Sequence, residues 1–600
     1  MVLRVRYRLF KSVFNDWSQV KRLGSSRGGG LSYFHNPGTE PLHYLTIGQL
    51  VTGAAGRWPD TDVFVSTQHG TRLTFSQVEQ QANKLAAGFL DLGLVPGDRL
   101  GICSPNSAQW FLTALAASKA GLILVSDDPL QTVNVVSMNP AYMKEELEYC
   151  LQKVSVRALV TDETYKVQEY YKLLCEIVPN LSDLPQNTKL NCSKLPDFSA
   201  IIVNSEKNLP GTFRFCDVLE SAGNLQRLHE VQERLRPEHI GNIQFTSGTT
   251  GKPKAVPLSH FNLINNAYNV GKRLGMNKKH SKILAQAPFF HALGYIAALM
   301  TSFHFGSTMV LPSPTFSVPD SSEAIKREKC TMLLGTPTMY VDLCNYVSNL
   351  SAEEQLLHKS PEIAISGGSL CLPELFRKMR DTFSCERVVS VYGMTEITAV
   401  TFQSTEHDSE FLMTSTVGKI SDHVEAKVVD EEGLTVPFGT PGELWMRSFN
   451  TMTGYWEDEE ATNRMFTKDK WLKTGDRFIL HEDGYGQVVG RIKDMIIRGG
   501  ENISPKEVEE FLITHPDILD AQVIGVTSER LGEEVACSLR VKSGTTITEQ
   551  QVKDYCKGKI SYYKIPKYVE VVDVYPTTGS GKIQKFKIRE AMEKKLGINK

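Results

Sequence analysis

Ile243-Gln-Phe-Thr-Ser-Gly-Thr-Thr-Gly-Lys-Pro-Lys254 decides how the chain is read. An apolar, β-forming run leads into Thr246, Ser247, Gly248, Thr249, Thr250, Gly251, Lys252, Pro253 and Lys254. That composition suits a polyphosphate. Glycines let backbone N–H groups turn inward and approach an anion closely, while hydroxyls and the two ammonium groups add donors and charge. It is not a Walker A loop: Gly248 and Gly251 stand too close together, and a proline follows Lys252. Taken by composition alone, the stretch is equally a mobile Gly/Ser/Thr surface loop, so the rest of the chain has to decide.

The surroundings favour a globular protein of more than one domain. Six hundred residues exceed what one hydrophobic core covers. A hydrophobic content of 41% and a charged content of 22% are ordinary for a globular protein. A formal charge of −2 leaves no global electrostatic footprint for nucleic acid. The 11 cysteines are odd in number and scattered without a C-x-x-C pair, which suits a reducing compartment rather than a disulfide frame or a zinc site. The most apolar run, Pro288 to Leu311, is broken by His291, Ser302 and His304 and reads as a buried helix and strand, not a membrane span. No transmembrane segment is expected.

The first 30 residues differ from the rest. Arg4, Arg6, Arg8, Lys11, Lys21, Arg22 and Arg27 face a single acid, Asp16. On a helix, Arg4, Arg8 and Lys11 fall on one side and Leu3, Tyr7, Phe10, Phe14 and Trp17 on the other. The expectation is a mitochondrial presequence within residues 1–40 and a matrix location; a basic disordered arm is the alternative.

From residue 41 the texture is α/β. Ser76-x-x-Glu79 reads as a capping box ahead of a helix through Val78, Ala82, Leu85 and Phe89. Arg99 to Cys103 reads as a strand, Gln109 to Lys119 as a helix and Leu122 to Val125 as a strand. This alternation predicts largely parallel sheets in a large N-terminal domain spanning 41–490. Near 490 the pattern changes. Ser504-Pro505 with Glu507 opens a helix, and strands at Ala521 to Val526 and Val535 to Val541 complete a small α+β domain, 491–600.

Further motifs carry chemistry. Tyr392-Gly-Met-Thr395-Glu396 offers an aromatic face, a turn, a hydroxyl and a carboxylate within five residues. Ser366-Gly367-Gly368 follows an apolar run, Trp471-Leu-Lys-Thr-Gly-Asp476 ends an extended run on an acid, and Lys582 sits in the Gly-rich Pro576-Thr-Thr-Gly-Ser-Gly-Lys582. Alone, each has a plain reading: a strand–turn, a Gly-Gly turn, a turn-forming Asp and a solvated lysine. His291, in Pro288-Phe-Phe-His-Ala-Leu-Gly294, is equally a hydrogen-bonded core histidine.

Together, and in this order, TSGTTGKPK, SGGSL, YGMTE, TGD and the C-terminal lysine loop resemble the AMP-forming adenylate enzymes, among them acyl-CoA synthetases, luciferases and peptide-synthetase adenylation domains. The likeness runs from about Asp60 to Lys600. Leu258-Ser-His260, Gly335-Thr-Pro-Thr-Met339, Asp494-Met-Ile-Ile-Arg-Gly-Gly-Glu-Asn-Ile503 and Tyr563-Lys-Ile-Pro-Lys567 point to the acyl-CoA synthetases within that family. The resemblance implies a fatty acid–CoA ligase, of medium chain length, using ATP, Mg2+ and coenzyme A and joining its two domains by a hinge. It implies that Thr246 to Lys254 hold the ATP phosphates, Gly367, Gly368 and Tyr392 the adenine, and Asp476 and Arg491 the ribose. Thr395 would meet phosphate, Glu396 the magnesium, and Lys582 the charge that builds between carboxylate and α-phosphate. His291 and Gly294 would line the acyl pocket, Lys493 would be the hinge, and Gly499 and Gly500 would form the CoA-side loop.

Such chemistry brings two anions together, so it needs cations, N–H donors and in-line geometry more than a base. Two departures stand out. Ala255 replaces a common glycine, and Asp127 to Val136 looks like an insertion ahead of Met138-Asn-Pro-Ala-Tyr142. Alternatives are an adenylate former for another acid, such as an aromatic acid ligase or a luciferase-like enzyme, and a silent nucleotide-binding protein.

Overall fold

The computed structural model describes residues 30–122, 135–221, 223–246, 253–368, 371, 373–498, 501–528, 530–557, 559–578 and 582–598. Several expectations lie outside them: the basic start before residue 30, most of the Leu122 to Val125 strand and of the 127–136 insertion, Ser247 to Lys252, and Gly499 and Gly500.

Two mainly parallel sheets dominate. In the first, strands Arg387–Tyr392, Ile363–Ser366, Met332–Gly335, Lys282–Ala285, Thr308–Leu311 and Asp62–Ser66 run parallel, with short antiparallel strands at either edge. In the second, Ile240–Thr246, Val135–Ser137, Arg99–Cys103, Val156–Asp162, Ala200–Asn204 and Phe213–Arg214 are parallel, and Lys254–Ser259 pairs antiparallel with Ile240–Thr246. Near-continuous Val, Ile and Leu along these strands, with most positions buried, is the signature of sheets covered on both faces. Val135–Ser137 fills the place beside Arg99–Cys103, so Val135 and Val136, at the end of the expected insertion, are sheet residues.

Helix Phe75–Asp91 starts earlier than the sequence reading has it. Thr74, the last residue of the preceding strand, caps it: its hydroxyl accepts from Gln77 N–H at 3.2 Å, and Gln77 Oε1 accepts from Thr74 N–H at 2.9 Å. The expected Ser76/Glu79 box does not form, because Glu79 is drawn onto the fully buried Lys119 ammonium at 2.7 Å. In the helix Pro505–Ile513 Ser504 is the N-cap residue, but its hydroxyl donates to Val489 O instead of closing a box with Glu507.

The chain packs as two compact units. One comprises the described part of Met1–Pro37, then His423–Arg447 and Thr467–Val571; the other comprises Gly38–Asp422, Ser448–Phe466 and the described part of Val572–Lys600. The expected boundary at 490 falls inside the first unit, and the segment bearing Lys582 falls in the second. The first unit holds a sheet ordered Tyr33–Asn36, Val424–Val429, Gly442–Ser448, Leu472–Leu480, Gly486–Arg491, and a second built on the long hairpin Ile518–Ser528 with Gly532–Val541. Tyr33–Asn36 pairs antiparallel with Val424–Val429. The last part of the 1–40 stretch expected to be presequence therefore carries a strand whose hydrogen bonds are part of a sheet. Among the described residues no helix is long and apolar enough to cross a membrane.

Candidate active site

Strands Ile240–Thr246 and Lys254–Ser259 form an antiparallel pair in which Lys254 sits opposite Thr246. The Gly-rich loop thus springs from a fixed base, with the Thr246 hydroxyl donating to Lys254 O at 3.4 Å. Pro253 ends the loop as the strand begins. Ala255, the departure from the family pattern, is 1% exposed and packs into the core of the second sheet, so its methyl group is a filler there.

At the carboxyl edge of the first sheet, four parallel strands end side by side and feed Gln286 to His291, Thr336-Pro337, Gly367-Gly368 and Gly393 to Glu396. Ligands of open α/β sheets bind at this edge. Gln286 Oε1 and Thr336 Oγ1 are buried there without a hydrogen-bond partner among the described residues. Gly368 adopts φ +85°, a conformation L side chains rarely take. Tyr392 ends its strand partly buried, edge-on to Phe402 at 6.0 Å between ring centroids.

Thr395 and Glu396 sit on a short 3-10 turn, followed by Thr398 and Ala399 at φ 51° and 75°. Non-glycine residues in this region need support from their neighbours. Two asparagines give it. Asn266 Nδ2 donates to Val400 O at 2.6 Å and its Oδ1 accepts from Val400 N–H at 3.3 Å. Asn450 Nδ2 donates to Ile397 O at 3.0 Å, and the Thr398 hydroxyl donates to Asn450 O at 2.6 Å.

Glu396 is 7% exposed, and the Tyr455 hydroxyl donates to its Oε1 at 2.8 Å. Burial and this carboxylate raise the Tyr455 pKa far above its ordinary value, so the phenol stays a donor. The Lys254 ammonium lies 4.7 Å from the centroid of the Tyr455 ring. Among the described residues Glu396 Oε2 has no donor and no group of three or more His, Cys, Asp or Glu stands ready to cage a metal. One buried carboxylate with an open oxygen, near the Lys254 ammonium, fits magnesium, which takes one or two carboxylates plus phosphate oxygens and water.

His291 caps the helix Ala292–Gly294, its Nδ1 accepting from Leu293 N–H at 3.4 Å. That helix runs into a π-helical segment, Tyr295–Met300, a rare form found mostly at functional sites. A Cβ on Gly294 would lie 2.2 Å from Pro288 O, so glycine is what lets helix and loop approach. Dense surrounding protein, reinforced by the Lys582 charge, pushes the His291 pKa down to about 4, and the ring is neutral at physiological pH. Lys582 itself is held by a tight return: Thr578 N–H donates to Lys582 O at 2.7 Å, and Lys582 N–H to the Thr578 hydroxyl at 3.1 Å.

In the other unit, Asp476 and Arg491 are direct partners across Leu472–Leu480 and Gly486–Arg491, with Arg491 Nε 3.3 Å from Asp476 Oδ1. A register shift opposite Glu443 to Trp445 falls at Thr474-Gly475, where Gly475 has φ +70°. Such a bulge re-aims a side chain. Here it brings Asp476, 6% exposed, onto Arg491. Lys493 follows on a 3-10 turn; burial first and Arg491 second lower its pKa, while Asp494 and Asp476 oppose them.

Of the residues expected from sequence, Lys254 and Glu396 are joined through Tyr455, His291 and Lys582 share a neighbourhood, and Asp476, Arg491 and Lys493 form one cluster. Gly367, Gly368, Tyr392 and Thr395 stand along one sheet edge. Tyr455, Asn266 and Asn450 escaped the sequence reading. The asparagines had a signal: Asn262, Asn265, Asn266 and Asn269 recur at helical spacing within His260–Leu274, too polar a face for simple burial.

Residues 51–456 match the family described as AMP-binding enzyme, and residues 507–582 match the AMP-binding enzyme C-terminal domain. The chain is 42% identical over 571 residues to a Danio rerio protein named medium-chain acyl-CoA ligase ACSF2, mitochondrial, covering 94% of this chain and 91% of that one. The Homo sapiens protein of the same name is 40% identical over 587 residues, covering 97% and 93%. A solved structure, the anthranilate CoA ligase AuaEII in complex with anthranoyl-AMP, superposes with a TM-score of 0.77 at 25% identity, covering 92% of this chain and 98% of that one. Matched by the family model over most of its length and 42% identical to a ligase that it covers almost end to end, the chain belongs to the AMP-binding enzyme family.

Proposed function

We propose that this protein is an ATP-dependent fatty acid–CoA ligase that forms an acyl-AMP and then an acyl-CoA, releasing pyrophosphate and AMP. The observation that carries the reading is the buried Glu396 carboxylate, held by Tyr455 whose ring also meets the Lys254 ammonium, at the carboxyl edge of the parallel sheet. Two anions can react only if cationic groups offset the charge that builds between carboxylate and α-phosphate, and a lysine on a flexible stem can deliver that charge and be withdrawn. Magnesium, bound through Glu396, would neutralise phosphate charge. Thr246 to Lys254 and Thr395 would grip the phosphates, Gly367, Gly368 and Tyr392 the adenine, and Asp476 with Arg491 the ribose. Neutral His291 and Gly294 would border the acyl pocket.

The relatives' names support a medium-chain acid and a mitochondrial location; the Arg-rich, acid-poor start extends this to the matrix, reached by a presequence within residues 1–40. The 41–490 and 491–600 division, hinged at Lys493, would serve the second half-reaction, in which the Gly499-Gly500 loop faces coenzyme A. The solved anthranilate ligase keeps an aromatic acid as the second reading.

The test is CoA-dependent release of AMP and pyrophosphate across short to long fatty acids and an aromatic acid, with Lys582→Ala as control. A peak at medium chain length, falling about 100- to 1,000-fold in Lys582→Ala, supports the reading. A preference for the aromatic acid moves it to the second, and no turnover with any acid overturns both.

A further inference from the structure

We propose that Tyr455 is a positioning residue that couples the metal carboxylate to the end of the phosphate loop. The inference rests on the function proposed above and adds a residue to it.

Glu396 and Lys254 lie on different elements, a 3-10 turn after Arg387–Tyr392 and the first residue of strand Lys254–Ser259. One side chain touches both. A carboxylate has no proton to give, so the bond at 2.8 Å runs from the Tyr455 hydroxyl to Glu396 Oε1. It fixes the carboxylate's rotation and leaves Oε2 as the oxygen open to a cation. The same ring presents its face to the Lys254 ammonium, 4.7 Å from the centroid, a cation–π arrangement that holds the ammonium without neutralising it.

The backbone around Tyr455 is stitched to the same two elements. Met452 N–H donates to Glu396 O at 2.9 Å, and Trp456 N–H donates to Ala255 O at 3.0 Å. The Thr462 hydroxyl accepts from Tyr455 N–H at 2.9 Å, which sets where the ring stands. The ring is therefore placed by bonds that do not involve its hydroxyl, and Tyr455→Phe removes one interaction while leaving the frame and the cation–π contact. Outer-shell partners of metal ligands are worth about 10- to 100-fold in metal affinity.

The experiment is isothermal titration of ATP, in EDTA and with Mg2+, into the full-length wild type, Tyr455→Phe, Tyr455→Leu, Glu396→Gln and Tyr455→Phe/Glu396→Gln, with thermal melting as the check on folding. In Tyr455→Phe, metal-free ATP affinity is expected to stay within about twofold of wild type, while the gain in affinity that Mg2+ confers falls about 10-fold. Tyr455→Leu is expected also to weaken metal-free binding by about two- to fivefold, because it removes the ring beneath Lys254. Glu396→Gln abolishes the Mg2+ gain, and adding Tyr455→Phe changes nothing further. An unaltered Mg2+ gain in Tyr455→Phe, or strictly additive losses in the double variant, overturns the positioning role. Absence of ATP binding in the wild type overturns the proposed function itself, so the two failures are distinct.

Discussion

Lys119 and Lys254 show how surroundings assign one residue type to opposite tasks. The Lys119 side chain is fully buried, and its ammonium meets Glu79 Oε1 and Oε2 at 2.9 and 2.7 Å and the Thr52 hydroxyl at 3.0 Å. Three donors meet three acceptors, so nothing is left for a ligand. Lys254 is partly exposed and rests on an aromatic face, and among the described residues no carboxylate pairs with it. Its charge remains available to an anion. Removing one partner of a buried pair strands the other, so Lys119→Met is expected to cost about 3–5 kcal/mol in urea unfolding, with Lys119→Met/Glu79→Leu recovering most of it. Lys254→Ala is expected to change stability by less than about 0.5 kcal/mol while weakening ATP binding in calorimetry. At this scale the motif residues were legible because their spacing is local. Tyr455 was not, because its partner Glu396 lies 59 positions away and a lone tyrosine in Gly454-Tyr-Trp456 carries no periodic or charge signal.

The elements work as holders of awkward backbone. Helix His260–Leu274 turns a row of asparagines to its neighbours: Asn265 accepts from His43 N–H at 2.7 Å, Asn266 clamps Val400, and Asn269 donates to Asp422 O at 3.3 Å. Each amide satisfies backbone that strands and helices leave unpaired, which is why a polar face is buried here. The acid turn depends on the same economy of space. A Cβ on Gly393 would lie 1.8 Å from Ala399 O, so Gly393→Ala is expected to displace Thr395 and Glu396 and abolish adenylate formation, read as acid-dependent pyrophosphate exchange. Gly53 is the contrasting case: it lies inside helix Ile47–Arg57 with nothing within 4 Å of an added Cβ. Gly53→Ala is expected to stabilise by about 0.5–1 kcal/mol, seen as a raised melting temperature, with turnover unchanged. Strand Arg99–Cys103 and the helices on either side of it were readable from periodicity, and with them the largely parallel sheets. The capping of Phe75–Asp91 was misread because Thr74-x-x-Gln77 and Ser76-x-x-Glu79 fit the same rule, and only the buried Lys119, which takes Glu79, decides which side chain is free to cap.

For the whole molecule, sequence order and spatial grouping part company. The chain enters and leaves each compact unit repeatedly, so Asp476, Arg491 and Lys493 belong to one unit while Tyr392, Glu396 and Lys582 belong to the other. No local pattern encodes that interleaving; it follows from pairings such as Tyr33–Asn36 with Val424–Val429, which join residues hundreds of positions apart. The unit containing Asp520 also carries its own pH response. Asp520 lies on Ile518–Ser528 opposite Arg540, with Gln522 donating to its Oδ1 at 3.2 Å and Glu509 nearby. Burial raises its pKa from 3.8 to about 6, outweighing the opposing pull of Gln522 and Arg540. A carboxyl raised in the folded state binds more protons there than in the unfolded chain. Its contribution to stability is therefore full below pH 3.8 and is lost as pH rises through about 6. Asp520→Asn cannot ionise, so it is expected to match wild type at pH 4 and to melt at higher temperature at pH 7.5, the gap opening between those values. An equal gap at both pH values would mean that packing or the Arg540 partnership, and not the carboxyl's ionisation, governs this site.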